Sequence, residues 1–306
     1  MESWRRNPLF FWIVGLPPTL WLVLFFLVPL GLIWLFSFSD KRGIIDIELT
    51  WTLANYARSL EWLYLEIFLK SFWMAGATTV IALLVGFPIA FAISFAPPKA
   101  KPWLLLLIIL PFWTNLLIRT YALIAVLRSR GFVNFGLEWL WDQGNWVLSL
   151  AGLGGYQLLG ERFEPLELLY NNFAVVFGLV YVFLPFMVLP LYAALDRLDR
   201  SYIEASLDLG AGQLRSFFSV VVPMAKAGVV SGVIITFIPA LGSFLQSDLL
   251  GGPDSQIIAN VIERQFKSAN DWPFGAALSF ILMYLTFFAL ALRAALSRGN
   301  RDAEGL

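Results

Sequence analysis

The chain has 306 residues, of which 59% are hydrophobic and only 14% charged. A soluble domain is about half apolar and about a quarter charged, so the solvent this composition suits is a bilayer. Lys plus Arg equals Asp plus Glu at 21 each, and both Cys and His are absent. This excludes a net field for nucleic acid, disulfides, thiolate chemistry, the usual imidazole or thiolate metal sites, and His-based acid–base catalysis.

A spanning helix needs about 20 mostly apolar residues. The uncharged runs predict six spans, at roughly 10–36, 71–95, 103–127, 173–195, 226–247 and 274–293. The first comes after Arg5 and Arg6 but is too long for a signal peptide and lacks a small-residue cleavage site, so it is read as a permanent helix. The connections 37–70 and 128–172 are rich in Trp, with Trp51, Trp62, Trp139, Trp141 and Trp146. That suits interfacial anchoring of amphipathic segments, or a docking surface for an external partner. The stretch 143–160 is also uncharged, but Gly144, Gly152, Gly154, Gly155 and Gly160 make it a poor helix, and it is read as lying outside the membrane.

Six spans put both termini on one side. Bases exceed acids across the amino tail, 96–102, 196–226 and the carboxyl end, and acids exceed bases elsewhere. Those four segments are therefore expected in the cytoplasm. Arg119 is the one ionisable residue well inside a predicted span. About sixteen residues at 1.5 Å each place it roughly 24 Å along a straight helix, near the outer interface, where a structural or gating ion pair is expected.

The inner segment YIEASLDLGAGQLRSFFSVVVP covers 202–223. Glu204 and Asp208 are four apart and share a helix face. Gly210 can adopt positive φ and end that helix. A second short helix then runs to Val222, and Pro223 suits the first turn of the next helix. The segment resembles the cytoplasmic coupling loop of permease subunits in bacterial ABC importers, whose pattern is E-A-A, three residues, G, nine residues, I-x-L-P. Here Ser206 replaces the second Ala, and Val220 and Val222 replace Ile and Leu, with the spacing intact. The resemblance implies that Glu204, Ala205, Asp208, Gly210 and Pro223 couple the chain to an ATPase by seating this elbow in a cleft of the nucleotide-binding subunit.

Three further stretches narrow the match: LPFWTNLLIRTYAL at 110–123, YNNFAVVFGLVYVFLPFMVLPLYAALDRLD at 170–199, and the segment 238–279 with its SDLLGG and DWPFGAA motifs. Together they resemble the inner-membrane permease of spermidine/putrescine importers over about 70–300. One departure is an apparent insertion, 143–163, ahead of EPLELLY at 164–170. The resemblance implies an all-α, polytopic, type I ABC importer permease with six transmembrane helices and no cofactor. It implies one domain over 1–306, with its core at 70–295, coupling loop at 196–222 and outer loop at 128–172. The implied partners are an ATP-binding subunit dimer, a second homologous permease and an extracytoplasmic substrate-binding protein. The chain has no phosphate-cradling G-x-x-x-x-G-K-[ST] loop, so ATP hydrolysis would belong to a separate subunit. The alternatives are a permease for ferric iron, thiamine or phosphonate, or a secondary transporter. The last would be expected to carry intramembrane carboxylates, and none lies inside a predicted span.

A linear polycation is recognised by carboxylates and aromatic faces. Asp248, Asp254, Glu263 and Asp271 are interleaved with Phe244, Phe266 and Trp272 in the outer segments. Phe244 and Asp248 fall on one helix face, just beyond a helix interrupted by Pro239 and Gly242, as a pore-lining element tolerates. The expected pathway residues are Phe244, Asp248, Asp271 and Trp272, with a solvated acidic loop as the plainer reading.

Overall fold

The computed structural model describes residues 8–43, 46–150 and 163–304. Most of the expected insertion at 143–163 lies outside the described residues. The chain divides into two compact units, one formed by Met1–Glu66 with Val261–Leu306 and the other by Ile67–Asn260.

In the first unit an apolar helical run, Trp12–Phe36, is long enough to cross a membrane. A π-turn at Val23–Leu27 interrupts its α-helical pattern. An antiparallel two-stranded hairpin comes next, Ser39–Arg42 against Asp46–Leu49, within an otherwise helical fold. The closing helix is Trp272–Glu304, whose apolar part, Trp272–Ala291, is also long enough to span. The two apolar helices meet where Trp34 Nε1 donates to the Tyr284 hydroxyl at 3.0 Å and where the rings of Phe36 and Trp272 approach edge to face.

The second unit is organised by Asn172–Leu195, the most buried of the candidate spans. Lys226–Gly242 packs along it through two glycines four residues apart. A Cβ on Gly228 would stand 2.6 Å from that of Ala194, and one on Gly232 would stand 2.7 Å from Met187 Sδ. Without a strong hydrophobic drive between helices in lipid, such small residues let backbones approach and gain dispersion contacts. Most of Trp62–Phe95 completes this unit, its Ala82, Phe87, Ala90 and Ile93 joining Met187, Val188 and Leu191 in one core cluster.

Among the described residues four helices are long and apolar enough to cross a membrane, and six spans are reached if each of two bent pairs counts as one. The first bend corrects a straight span expected from sequence. The expected 103–127 helix turns by 95° between Lys101–Trp113 and the helices of 116–150. Its break comes after a 3₁₀ turn containing Pro111, and Asn115 then caps the next helix by accepting from Leu117 N–H at 2.8 Å. The expected 226–247 helix ends at Gly242, and Phe244–Leu250 is a separate short helix. The other bend, of 66°, separates Gln213–Met224 from Lys226–Gly242.

The first bend also resets the surroundings of Arg119. The depth expected from a straight helix does not apply, and among the described residues no carboxylate pairs with it. Its Nη2 donates to Thr114 O at 3.0 Å, and its guanidinium lies 5.1 Å from the Phe112 ring. The broken backbone frees that carbonyl, which takes the place of the expected acid. Arg119 is 7% exposed, and its Nε has no partner among the described residues.

Candidate functional site

The elbow is built as its residues dictate. The helix Ser201–Asp208 starts beside Asp199, whose Oδ1 accepts from Ser201 N–H at 3.0 Å. That bond holds the Asp199 carboxyl below its usual pKa. At the other end Gly210 adopts φ +84°. Ala211 N–H then reaches Ser206 O at 3.1 Å and Gly210 N–H reaches Leu207 O at 2.9 Å. These are the paired bonds of a Schellman stop with glycine in the left-handed position. The second arm runs over Gln213–Ser216, a π-turn at Phe217–Val221 and the turn Val222–Met224. Pro223 therefore sits in this last turn, one residue short of the break at Ala225, and not in the helix Lys226–Gly242.

Sequence reasoning marks Ser206 only as a departure from the family pattern. Its hydroxyl meets that of Ser216 at 2.8 Å, joining the two arms across the bend. Ser216 is 2% exposed. Phe217 anchors the second arm by packing edge to face on both Phe87 and Phe91 of Trp62–Phe95, at 5.4 and 5.7 Å. Arg200 lies 4.9 Å over the Phe95 ring, and Lys101 pairs with Asp196 at 2.5 Å where the elbow leaves Asn172–Leu195. The elbow is thus packed against neighbouring helices rather than held as a slack loop.

The outward surface of the elbow is different in character. Glu204, Ala205, Asp208 and Gly210 are all exposed, and neither carboxylate forms an ion pair among the described residues. Leu209 is 88% and Leu214 76% exposed, with Tyr202 and Phe218 also in the open. Ala205, Gly210 and Arg215 help line a cleft of about 470 Å³. Apolar side chains flanked by unpaired acids form the surface that a protein partner with a complementary pocket would cover.

The residues expected to meet substrate fall in different units. In the second unit Phe244 and Asp248 share the short helix Phe244–Leu250. Phe244 is half-buried against the core, and Asp248 is exposed without an ion pair among the described residues. This helix is held rigidly. Asn260 Nδ2 donates to Phe244 O at 3.1 Å, and Ser247 Oγ donates to Ser255 O at 2.6 Å. Gly251 and Gly252 permit backbone approaches that a side chain would block, since a Cβ on Gly252 would stand 2.4 Å from Tyr170 O. These glycines explain the SDLLGG motif in structural terms.

In the first unit Asp271 binds Arg58 at 2.9 Å and accepts from Phe274 N–H at 3.3 Å, capping the last helix. Burial opposes the Arg58 charge, but the hydrogen bond to Asp271 and the nearby Tyr64 outweigh it and raise the Arg58 pKa. Glu263 pairs with Lys267 at 2.8 Å. Trp272 is exposed, with Phe36 and Phe266 edge to face around it. Asp248 and Asp254 are therefore left as exposed carboxylates without an ion pair among the described residues, while Asp271 and Glu263 already have basic partners.

No family model matches the chain. Individual proteins do. The chain is 40% identical over 262 residues to the spermidine/putrescine transport system permease protein PotB of Salmonella typhimurium (strain SL1344), covering 86% of this chain and 85% of that one. It is 39% identical over 262 residues to PotB of Escherichia coli (strain K12), covering 86% and 88%, and 38% identical over 271 residues to PotB of Haemophilus influenzae, covering 88% of each. Among solved structures it shares its fold with a bacterial ABC transporter involved in the import of the acidic polysaccharide alginate. That match has a TM-score of 0.67 and 14% identity over 94% of each chain. A second structure, of an alginate ABC transporter in complex with its alginate-bound periplasmic protein, gives a TM-score of 0.63 at 15% identity over 97% of this chain and 98% of that one. The chain belongs to the PotB family of spermidine/putrescine transport system permease proteins.

Proposed function

We propose that the chain is a permease subunit of an ATP-driven importer and forms part of the translocation pathway for spermidine and putrescine. The observation that carries this reading is the identity of about two residues in five with polyamine permeases across 86% of the chain. The elbow supports the coupling half of it. Exposed Leu209 and Leu214 with unpaired Glu204 and Asp208 would seat in an ATP-binding subunit, and Phe217 would carry its movement into the spans. A second homologous permease and an extracytoplasmic substrate-binding protein complete the assembly. The chain would lie in the bacterial inner membrane with both termini and the elbow in the cytoplasm.

Because the chain lacks Cys, a Gln213→Cys variant reports orientation directly. An impermeant thiol reagent should label it in inverted vesicles and not in intact cells; labelling in intact cells would reverse the topology. Function is tested by deleting the chain and measuring uptake of labelled polyamines. Spermidine and putrescine uptake should be lost and should return when the chain is supplied. Unchanged polyamine uptake, with loss of ferric iron, thiamine or phosphonate uptake, would reassign the substrate within the importer class.

A further inference from the structure

We propose that the helix Phe132–Leu150 is an interfacial helix whose aromatic face lies in the outer leaflet, at the boundary between headgroups and acyl chains. The proposal rests on the membrane reading above and not on the identity of the substrate.

The helix already has a packing face. Val133, Leu137, Trp141 and Leu148 are half-buried on one side. Asn134, on the same side, is buried and stapled to the backbone of Leu166 in both directions. Its Nδ2 donates to Leu166 O at 2.9 Å, and its Oδ1 accepts from Leu166 N–H at 2.8 Å. At 100° per residue, Phe132, Phe135, Trp139, Trp146 and Leu150 fall on the opposite side, where they are 57–75% exposed. A surface helix in water needs one apolar stripe, so a second, aromatic one implies a second apolar surrounding.

Three observations identify that surrounding as lipid. The helix is connected in sequence to an apolar helix on each side, Leu116–Leu127 and Asn172–Leu195. The axis of 116–150 turns 95° from that of Lys101–Trp113, so Phe132–Leu150 does not continue that helix straight through a bilayer. Trp139 and Trp146 on the open face match the headgroup level, where an amphipathic ring keeps one edge wet, and Phe132, Phe135 and Leu150 suit the adjoining acyl chains. Glu138 and Asp142 would make burial across the bilayer costly, and they lie along the border of the aromatic face with water within reach. The helix carries no Lys or Arg, so anchoring comes from aromatic burial and not from attraction to anionic lipid.

The test uses the assembled importer in phosphatidylcholine nanodiscs, with cysteines removed from its partner subunits. Single Cys residues are placed by Phe135→Cys, Trp146→Cys, Glu138→Cys and Asp142→Cys, with Leu107→Cys as the reference for a span, and each carries an environment-sensitive fluorophore. Positions 135 and 146 should lose most of their fluorescence to lipids bearing a nitroxide near the headgroup and little to aqueous iodide. Positions 138 and 142 should show the reverse, and position 107 should be quenched by a nitroxide deep in the acyl chains. Iodide quenching at 135 and 146 would overturn the proposal, and so would protection of both from either quencher, which would mean a protein covers the face. Iodide quenching at 107 would instead overturn the membrane reading itself, and the proposal with it.

Discussion

The hydroxyls of Ser206 and Ser216 meet at 2.8 Å across the bend that Gly210 makes at φ +84°. Ser216 is buried and Ser206 partly so, and removing the Ser206 hydroxyl leaves that of Ser216 unsatisfied, at about 1–3 kcal/mol, whereas removing both is close to neutral. Ser206→Ala alone should therefore loosen the elbow, although it installs the residue that the coupling-loop pattern prefers. Hydrogen exchange over 201–224 should rise in Ser206→Ala and fall back towards the parent in Ser206→Ala with Ser216→Ala. Equal protection in all three proteins would show that the hydroxyl pair holds nothing.

Gly210 stands in the left-handed region, which costs an L-residue roughly 1–2 kcal/mol and is worse for a β-branched one. Gly210→Val should redirect the second arm, abolish transport and uncouple ATP hydrolysis from it. Glu204→Lys reverses an exposed charge and should weaken ATPase association, more so at low salt. Neither change should alter ligand binding by the extracytoplasmic protein. Normal uptake and ATP turnover in both variants would reduce the elbow to a connector.

The contact between Lys226–Gly242 and Asn172–Leu195 depends on missing side chains. In Gly228→Ala the new methyl would meet Ala194 Cβ at 2.6 Å and Pro190 O at 2.7 Å, one of them rigid backbone. Such overpacking costs about 1–3 kcal/mol. Thermal unfolding in detergent should shift to lower temperature for Gly228→Ala and not for Gly242→Ala, where a Cβ meets nothing within 4 Å. Matching unfolding temperatures would show that the helices can part freely at this point.

The spans best read from sequence are those whose apolar run is uninterrupted. The expected 173–195 is realised as Asn172–Leu195, and the elbow's two arms and positive-φ glycine are also legible, because they are local. The helix expected from 71 begins at Trp62 instead, since Glu66 and Lys70 end the uncharged run without ending the helix. The breaks at Thr114–Asn115 and Ser243 have signals in Pro111, Pro239 and Gly242, but hydropathy does not distinguish a bent span from a straight one. Gly228 and Gly232 carry a readable spacing that hydropathy alone overlooks. The Ser206–Ser216 pair and the Arg58–Asp271 pair depend on tertiary approach, and no periodicity announces them.

Asp248 is an exposed carboxylate on the short helix Phe244–Leu250. Its exposure on a braced helix leaves its carboxylate accessible to a cation, whereas Asp271 is already held by Arg58. Asp248→Asn preserves shape and removes charge. Polyamine uptake should fall while assembly persists, and more for spermidine than for putrescine, since attraction scales with ligand charge. Parent-level uptake of both would return Asp248 to the solvated surface.

ATP-driven polyamine import is tested most directly by reconstituting this chain with its second permease, ATPase and binding protein in proteoliposomes. Accumulation of radiolabelled spermidine and putrescine should require both ATP and the liganded binding protein. Unlabelled polyamines should compete, and ferric iron, thiamine or phosphonate should not. Accumulation that persists without the ATPase subunit and tracks an ion gradient, or ATP-driven uptake of one of the other solutes with none of polyamine, would contradict it.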